Sequence, residues 1–495
     1  MTIHELKPTI VWKNFHTLTQ IPRPSKHESK AAEAIEAFGK SLGLESFRDE
    51  IGNVIIRKPA TPGYENRKGV ILQGHCDMVP QKNSDKVHDF KKDPIETIVD
   101  GEWIKANGTT LGADNGLGVA LAMAVLESKD IEHGPIEVLI TIDEETGMTG
   151  ARELKAGVIK GDILINLDSE TEGEAYVGCA GGLDCRAAFA YERVEVPQSD
   201  KDIEAVTAET YATFDLAVKG CVGGHSGMDI NLGRANANKV MARLLISLMP
   251  YDYRLVNWNG GTLRNAIPRE SFATILLPKE AFEPATAAIE ALAEQIKAEY
   301  KGTDPEMSIS LAPAKEEAKN YIDEDVTDAV VLAVFGCPDG IERLSDAIPG
   351  LVETSNNLAI VETNDKEIVV ISLLRGSVDT AKDALGLKME CVFSLAGADV
   401  TFEGGYSGWA PNPDSDILNV MKKVYNDLYD KELKVMAIHA GLECGILGGT
   451  YPAWDMISMG PTLLSPHSPG ERAHIPSVEK CWNFLKEVLK NIPEK

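Results

Sequence analysis

The amino-acid sequence predicts an α/β fold in which a domain with a mostly parallel central sheet is interrupted by an inserted α+β domain. The chain has 495 residues, which exceeds the ~250 to 300 residues at which a single hydrophobic core usually stops growing. Short apolar runs alternate with helix-like segments early in the chain, and this pattern returns near its end. The middle of the chain instead has strands with alternating apolar and polar side chains, a charged loop and further helices. We therefore expect a discontinuous domain and a second, inserted one.

The first segment, residues 1–185, is predicted to alternate between helices and buried strands. Apolar side chains recur at helical spacing in some stretches, whereas others are short β-branched runs. The predicted helices lie at 25–42 and 117–126, and the predicted strands at 69–74, 136–142 and 162–167. Such alternation is typical of a mostly parallel sheet covered by helices.

The pattern changes in the second segment, residues 186–397. From Leu183, "LDCRAAFAYERVEV" alternates as a strand does, and after a charged loop "TYATFDLAVKG" predicts a second strand, so we expect a hairpin. Helices are further predicted at 235–249 and 283–300, and strands at 272–277 and 367–374. We expect an inserted α+β domain here, because domain termini often lie close together at the surface. Residues 398–495 return to the first pattern and should complete the first domain.

The composition is that of an ordinary folded protein with an acidic surface. Hydrophobic residues make up 43% and charged residues 25% of the chain. Counts of 49 Lys and Arg against 76 Asp and Glu give a net charge of −27. This charge repels phosphate backbones and anionic lipids, so we expect no nucleic-acid or membrane partner, and it suits cationic ligands such as metal ions.

Targeting signals and cysteine patterns point to a cytoplasmic protein. The start of the chain lacks the apolar run of a signal peptide, and no stretch approaches the ~18 apolar residues of a membrane span. The eight cysteines are scattered without a Cys-x-x-Cys pair. A zinc ribbon or a disulfide scaffold is therefore not expected, and free, mostly buried thiols in a reducing compartment are.

The stretch "VILQGHCDMVP", residues 70–80, places a histidine, a cysteine and an aspartate at the end of a predicted strand. Successive side chains of a strand point to opposite faces, so His75 and Asp77 share one side and Cys76 faces the other, where it packs. Asp77 could accept the hydrogen bond of the histidine nitrogen that is not on a metal. A surface His–Asp pair that caps a strand explains this stretch equally well.

Further acidic residues stand beside other predicted elements. Asp114 in "LGADNG" precedes a helix, where N-capping is the ordinary explanation. In "IEVLITIDEETGMTG" an apolar strand leads to Glu144 and Glu145, whose mutual repulsion is unexplained without a cation or a shared proton; a solvated acidic run in a loop is the alternative. Asp168 ends another strand, and His467 lies in the proline-rich "LLSPHSPGERAHIP", where a structural role is more common. Sites of open α/β sheets gather at the carboxyl ends of strands, where these strand-end side chains fall.

These residues form a ligand set for divalent metal ions. Two histidines and at least three carboxylates, with no thiolate, suit borderline to hard metals: zinc first, with manganese or cobalt as alternatives. Two ions about 3.5 to 4 Å apart could share one carboxylate and activate a water. One glutamate of the adjacent pair would then be free to act as a general base.

Six short motifs follow one another along nearly the whole chain: "GHCDMVP", "GADNG", "DEETGMTGA", "LDSE", "GGHSG" and "SPHSPGE". In this order they resemble the aminoacylase/carboxypeptidase-like di-zinc peptidase family, and within it most of all the aminoacyl-histidine dipeptidases. One motif alone would be a weak signal, whereas six in order are specific.

The resemblance implies a role for each residue of the strand-end cluster. The implied ligands are His75 and Asp168 for one ion, Glu145 and His467 for the other, and Asp114 as the bridge. Asp77 would orient His75, and Glu144 would be the general base that takes a proton from the attacking water. The resemblance also implies a cis peptide bond between Asp114 and Asn115, which is rare for a non-proline residue.

The resemblance further implies that the inserted domain is a lid and dimerisation domain with substrate-binding residues. His225 in "GGHSG" is similar to the family's lid histidine, which stabilises the tetrahedral oxyanion; without the resemblance, a histidine in a solvated turn would be the simpler explanation. Asn265 is implied as a substrate ligand, and the planar fork of Arg375 suits the free carboxylate of a dipeptide. "HAGLECG" departs from the Gly-Gly-Thr-Asp pattern of other branches, so Gly441 is expected to line the substrate site and Glu443 has no assigned role.

The resulting expectation is a homodimeric enzyme that hydrolyses unblocked dipeptides, Xaa-His dipeptides included, with a water activated by two metal ions. An N-acyl amino acid amidohydrolase with the same metal site is the alternative. A serine hydrolase is set aside because neither "GGHSGM" nor "GGYSGW" centres a serine in a Gly-x-Ser-x-Gly elbow. A two-metal phosphoesterase stays a minor alternative, since no Walker-type phosphate loop is present. A binding protein without activity would be expected to lack Glu144 or a ligand.

Overall fold

The computed structural model describes residues 2–199 and 206–495, which divide into two compact units. Unit 1 comprises the chain up to Cys179 together with 409–437 and 442–495. Unit 2 comprises 180–408 and the short return 438–441. The domain bounds 1–185, 186–397 and 398–495 drawn from the sequence stay a prediction, because compact units defined by contacts need not coincide with domains.

Unit 1 is built on a mixed sheet of eight strands within the described residues. Its four central strands are parallel, and antiparallel strands flank them on both sides. In spatial order the strands are Glu45–Arg48, Val54–Lys58, Ile136–Thr141, Val70–His75, Ile163–Asn166, Asp455–Ser458, Glu174–Cys179 and Lys434–Ile438. The prediction of an α/β fold with a parallel sheet at its centre is confirmed.

The central strands are buried because helices cover the sheet. Every residue of Val70–His75 and Ile136–Thr141 is buried, as expected for strands covered on both faces. The helices of unit 1 are Thr9–Thr19, Ser29–Ser41, Ala113–Glu127, Glu144–Gly147, Thr149–Glu153, Asp416–Tyr429, Glu443–Thr450 and Ile475–Lys490, with a 3-10 turn at Ile3–Glu5. A small sheet of Leu463–Leu464, Arg472–His474, Trp103–Ala106 and Thr97–Asp100 completes the unit.

The helix Ala113–Glu127 is buried along most of its length in unit 1. All its residues from Leu117 to Leu126 are buried, and a helix that is apolar on every side belongs inside a core. It packs against the strand Val70–His75 and the helix Thr9–Thr19. Its N-terminal turn is thereby fixed beside the end of that strand.

Unit 2 is an α+β unit with one large sheet, which has nine strands among the described residues. In spatial order these are Ser308–Pro313, Tyr211–Lys219, Ser271–Pro278, Arg254–Gly260, Val352–Thr363, Glu367–Gly376, Gly181–Ala190 and Asp399–Tyr406, with Gly340–Leu344 paired to Val352–Thr363. Short pairs join Arg193–Glu195 to Asn320–Ile322 and Gly224–His225 to Ala266–Ile267. The helices are Ala237–Leu248, Phe282–Glu299, Glu324–Gly336 and Asp379–Leu395, and the 3-10 turns are Ile230–Leu232, Met249–Tyr251 and Lys279–Ala281.

The hairpin predicted for the first two strands of unit 2 is wrong. Gly181–Ala190 lies between Glu367–Gly376 and Asp399–Tyr406, whereas Tyr211–Lys219 lies between two other strands of the same sheet. Local alternation of side chains marks a strand, but its neighbours are chosen by packing over the whole sheet.

The described part of the chain contains no helix with the length and apolar character needed to cross a membrane.

Candidate metal centre

Three parallel strands of unit 1 end at predicted metal ligands or at the predicted base. His75 is the last residue of the first, Glu144 and Glu145 begin the short helix after the second, and Asp168 lies two residues beyond the third. Because these strands run parallel, their carboxyl ends meet at one edge of the sheet. The fold therefore brings these four side chains together.

Asp114 lies between two histidines. Its Oδ1 is 3.2 Å from Nε2 of His75, and its Oδ2 is 3.0 Å from Nε2 of His467. Asp114 stands in the first turn of the helix that packs on the central strand. The peptide bond between Asp114 and Asn115 is cis, as the family resemblance implies.

Two groups of side chains share Asp114. In the first, Nε2 of His75 lies 3.5 Å from Oδ1 of Asp168. In the second, Nε2 of His467 lies 3.0 Å from Oε2 of Glu145. Within each group of three, the candidate ligand atoms all lie within 4.8 Å of one another. The structure thus brings all five predicted ligands together, and their binding of metal stays a prediction.

The donor set fits divalent cations. Imidazole nitrogens and carboxylate oxygens are ligands of zinc, manganese and cobalt. Among the described residues, Oε1 of Glu145 and Oδ1 of Asp168 are buried without a hydrogen-bond partner. An unpartnered buried carboxylate oxygen is costly, and coordination of a cation gives it a partner.

Crowded carboxylates shift the pKa values of the two histidines. Hydrogen bonds to Asp114 and Glu145 raise the pKa of His467 to about 11. Burial disfavours a charge on His75, but the surrounding carboxylates outweigh it and raise its pKa well above the usual range. Burial raises the pKa of Asp168 to about 7. Bound protons thus neutralise part of the negative charge of the carboxylates when no cation does. Metal binding is expected to release these protons.

Glu144 lies beside both groups. Its Oε2 is 4.0 Å from Nε2 of His75. Burial raises the pKa of Glu144 well above its usual range, the charges of Asp168 and Glu443 add to the rise, and His75 opposes it. A raised pKa strengthens a carboxylate as a proton acceptor, which is what a general base must be.

Asp77 is a fully buried acceptor for several neighbours. Its Oδ1 lies 3.2 Å from Nδ1 of His75 and accepts the N–H of Glu144 at 3.0 Å. Its Oδ2 accepts the N–H of Glu145 at 3.3 Å and the hydroxyl of Ser25 at 2.7 Å. Burial acts to raise the pKa of Asp77, but hydrogen bonds from His75 and Ser25 hold it at about 2. Asp77 thus contacts His75 as predicted. Its hydrogen bonds from the backbone of Glu144 and Glu145 were not predicted.

A buried polar chain on the same strands was also missed by sequence analysis. Oε2 of Glu443 accepts hydrogen bonds from Nε2 of Gln73 at 2.6 Å and from the Thr141 hydroxyl at 2.7 Å. Oε1 of Gln73 accepts one from the Asn166 amide at 2.5 Å. Burial raises the pKa of Glu443 to about 7. Polar residues inside otherwise apolar strands were the available signal, since Gln73 and Asn166 each stand two residues before a predicted ligand.

Three of the predicted site residues, the catalytic candidate His225 and the substrate ligands Asn265 and Arg375, lie close together in unit 2. The carbonyl of Asn265 accepts the N–H of Ser226 at 2.9 Å, and Nε of Arg375 donates to the Ser226 hydroxyl at 3.2 Å. Ser226 follows His225, so this one residue ties the three together. Gly441 ends the short return segment of the same unit.

His225 is held as a neutral imidazole with a defined proton position. Burial lowers its pKa, and the charge of Arg375 lowers it further. Nδ1 of His225 accepts the N–H groups of Gly227 at 3.2 Å and Met228 at 3.0 Å. The proton of the neutral ring therefore lies on Nε2, which is left as a hydrogen-bond donor.

Comparison with known proteins identifies relatives over the whole chain. Residues 71–491 match the peptidase family M20/M25/M40. The chain is 43% identical over 494 residues to the cytosol non-specific dipeptidase of Escherichia coli (strain K12), a match that covers 100% of this chain and 99% of that protein.

Solved structures show the same similarity. The crystal structure of aminoacylhistidine dipeptidase from Vibrio alginolyticus matches with a TM-score of 0.93 and 44% identity, over 100% of this chain and 99% of the other. An aminopeptidase from Bacillus cereus ATCC 10987 matches with a TM-score of 0.58 and 16% identity, over 98% of this chain and 99% of the other. The second likeness concerns the fold alone.

Proposed function

The chain belongs to the peptidase family M20/M25/M40, and we propose that it is a dipeptidase for unblocked dipeptides, Xaa-His dipeptides included. The observation that carries the proposal is the pair of ligand groups that share Asp114, with Glu144 beside them. The full-length similarity to proteins named as dipeptidases, at 43% and 44% identity, supports the substrate class.

The proposed cofactor is a pair of divalent ions, with zinc first and manganese or cobalt as alternatives. The proposed ligands are His75 and Asp168 for one ion, Glu145 and His467 for the other, and Asp114 for both. When bound, such ions polarise the scissile carbonyl and lower the pKa of water.

The catalytic work of the chain itself is assigned to Glu144 and Asp77. Glu144 takes the proton of the attacking water and passes it to the leaving amine nitrogen, and its raised pKa suits both steps. Asp77 holds Nδ1 of His75, so that Nε2 faces Asp114, and it also holds the backbone of the glutamate pair.

The substrate roles of the unit 2 residues are proposals too. Nε2–H of His225 is suited to donate a hydrogen bond to the oxyanion that develops from the scissile carbonyl. Arg375 is assigned to the free carboxylate of the dipeptide, and Asn265 and Gly441 to further contacts with it. We also propose a homodimer in the cytoplasm; the name of the E. coli relative supports this location.

The experiment that tests the substrate class compares a free Xaa-His dipeptide with its N-acetylated form. Both are offered to the protein reconstituted with zinc, manganese or cobalt, and kcat/KM is measured for each. The free dipeptide should be the better substrate with at least one of the metals. A preference for the acetylated form would show an N-acyl amino acid amidohydrolase and contradict the proposal.

A further inference from the structure

One buried carboxylate in unit 1 accepts the backbone N–H groups of four consecutive residues. Oε2 of Glu471 accepts from Leu111 at 2.7 Å and Gly112 at 2.9 Å, and Oε1 accepts from Ala113 at 2.7 Å and Asp114 at 3.1 Å. Glu471 is only 2% exposed. Both carboxylate oxygens are therefore occupied by the turn that ends in the aspartate shared by the two ligand groups.

A buried arginine, Arg23, donates a hydrogen bond to a backbone carbonyl of the same turn. Nη2 of Arg23 donates to the carbonyl of Gly112 at 2.5 Å, and Nη1 donates to the carbonyls of Cys76 and Asp77 at 3.0 Å each. Gly112 has a φ of +68°, and a Cβ there would lie 2.7 Å from Nη2 of Arg23. The turn is thus fixed both in conformation and in its position beside the end of the strand that carries His75.

Glu471 belongs to the same loop as His467. Its N–H donates to the carbonyl of Ser468 at 3.0 Å, and the strand that follows, Arg472–His474, pairs with Trp103–Ala106. The side chain of His467 is 53% exposed, so little packing holds its imidazole in place. Glu471 connects this loop to the turn that carries Asp114.

We infer that Glu471 is a positioning residue for the ion of the Asp114, Glu145 and His467 group. By holding four N–H groups from within the His467 loop, it sets the separation of Asp114 and His467, whose facing atoms lie 3.0 Å apart. The inference rests on the proposed function, since it requires that ions bind there.

The ion of the other group depends less on Glu471. Two of its proposed ligands, His75 and Asp168, stand at the ends of central strands and are positioned by the sheet. Only Asp114 is common to both groups. Hydrogen bonds to a charged acceptor are stronger than neutral ones, and loss of a residue that orients ligands typically weakens metal binding by about 10- to 100-fold.

The test is zinc binding to the full-length Glu471→Gln variant by chelator competition. In either orientation, the glutamine amide presents an NH2 group to two backbone N–H donors, so half of the acceptor capacity is lost. Wild type should bind two zinc ions. In Glu471→Gln, one of the two should bind at least about tenfold more weakly, and the other should keep its wild-type affinity.

Glu137→Gln is the matched control. Glu137 is 7% exposed and accepts the N–H groups of Lys160 at 2.6 Å and Gly161 at 2.7 Å. Its other oxygen, Oε1, accepts a hydrogen bond from Nε of Arg57 at 2.8 Å. It is thus a buried carboxylate that also holds backbone N–H groups, and it stands near the start of the strand Ile136–Thr141, away from the ligand groups. This variant should bind both ions as wild type does.

Second variants identify which ion is affected. Under conditions where Glu471→Gln holds one zinc ion, adding His467→Ala should leave that ion bound, whereas adding His75→Ala should release it. The visible absorption of the cobalt-loaded protein should change in Glu471→Gln and stay as in wild type for Glu137→Gln. If Glu471→Gln does not fold, Glu471→Asp carries the same test, since it keeps both oxygens on a side chain shorter by one methylene.

Equal affinity of Glu471→Gln and wild type for both ions would overturn the inference, and so would equal weakening of both. A folded wild-type protein that binds no ions would instead overturn the proposed function, so the two failures are distinguishable.

Discussion

At the scale of the residue, Asp77 shows what a side chain can do beyond the role its sequence position implies. Strand alternation is enough to place it beside His75. The structure adds the backbone N–H groups of Glu144 and Glu145, which the same carboxylate also accepts. One buried group therefore orients a proposed ligand of each ion as well as the proposed base.

We expect Asp77→Asn to weaken metal binding by about 10- to 100-fold. The amide nitrogen of asparagine would face N–H or O–H donors in place of one carboxylate oxygen. Depending on its orientation, either His75 and Glu144 or Glu145 and Ser25 lose their acceptor. Chelator competition measures the affinity. The matched control is Ser25→Ala, which removes one of the donors to Asp77 and leaves its contacts to His75 and the glutamates; its effect should be smaller. Wild-type affinity in Asp77→Asn would contradict the positioning role.

At the scale of the element, the sequence was sufficient for what local patterns encode. Apolar runs predicted the central strands, and parallel strands place their carboxyl ends, with His75, Glu145 and Asp168, at one edge. The division of the ligands into two groups that share Asp114 was implied by the family resemblance. Local patterns did not predict which residues pair when they lie far apart in the sequence. The first strand of unit 2 pairs with Glu367–Gly376 and Asp399–Tyr406, and no local signal names such neighbours. Glu471 was missed for the same reason, since its four donors lie about 360 positions earlier in the chain.

The return segment Ile438–Gly441 of unit 2 carries a buried histidine, His439, whose effect on the free energy of unfolding depends on pH. Nε2 of His439 lies 2.7 Å from the Ser355 hydroxyl. Burial lowers the pKa of His439 to about 3, and the charge of Arg375 acts in the same direction. In the unfolded chain a histidine has a pKa of about 6.5, so below that pH the unfolded state binds a proton that the folded state excludes.

His439 should therefore reduce the free energy of unfolding as the pH falls from about 6.5 to about 3, by at most about 1.4 kcal/mol per pH unit for one proton. In His439→Gln this contribution is absent, so the variant should lose less stability with acid than wild type. Denaturant unfolding of both proteins across this pH range measures the difference. Above pH 7 the difference between the two should not depend on pH, which serves as the internal control. Parallel acid profiles throughout would contradict the low pKa.

At the scale of the whole molecule, a net charge of −27 and a cluster of proposed ligands both favour the binding of cations. Acidic side chains repel one another, and a bound cation relieves that repulsion where they are most crowded. Composition alone predicts an affinity for cations, but it cannot say where they bind. The fold brings proposed ligands as far apart in the chain as His75 and His467 together around Asp114, and we propose that the cations bind there.

The central claim, two metal ions served by a separate base, is tested most directly by the zinc content and turnover of Glu144→Ala beside wild type. We expect about two ions per chain in both proteins, and a loss of turnover of about 10²- to 10⁴-fold in the variant, the usual contribution of a general base. Glu145→Ala is the matched control and should lose one ion. Loss of an ion from Glu144→Ala, with both retained in Glu145→Ala, would reverse the two glutamates and contradict the account.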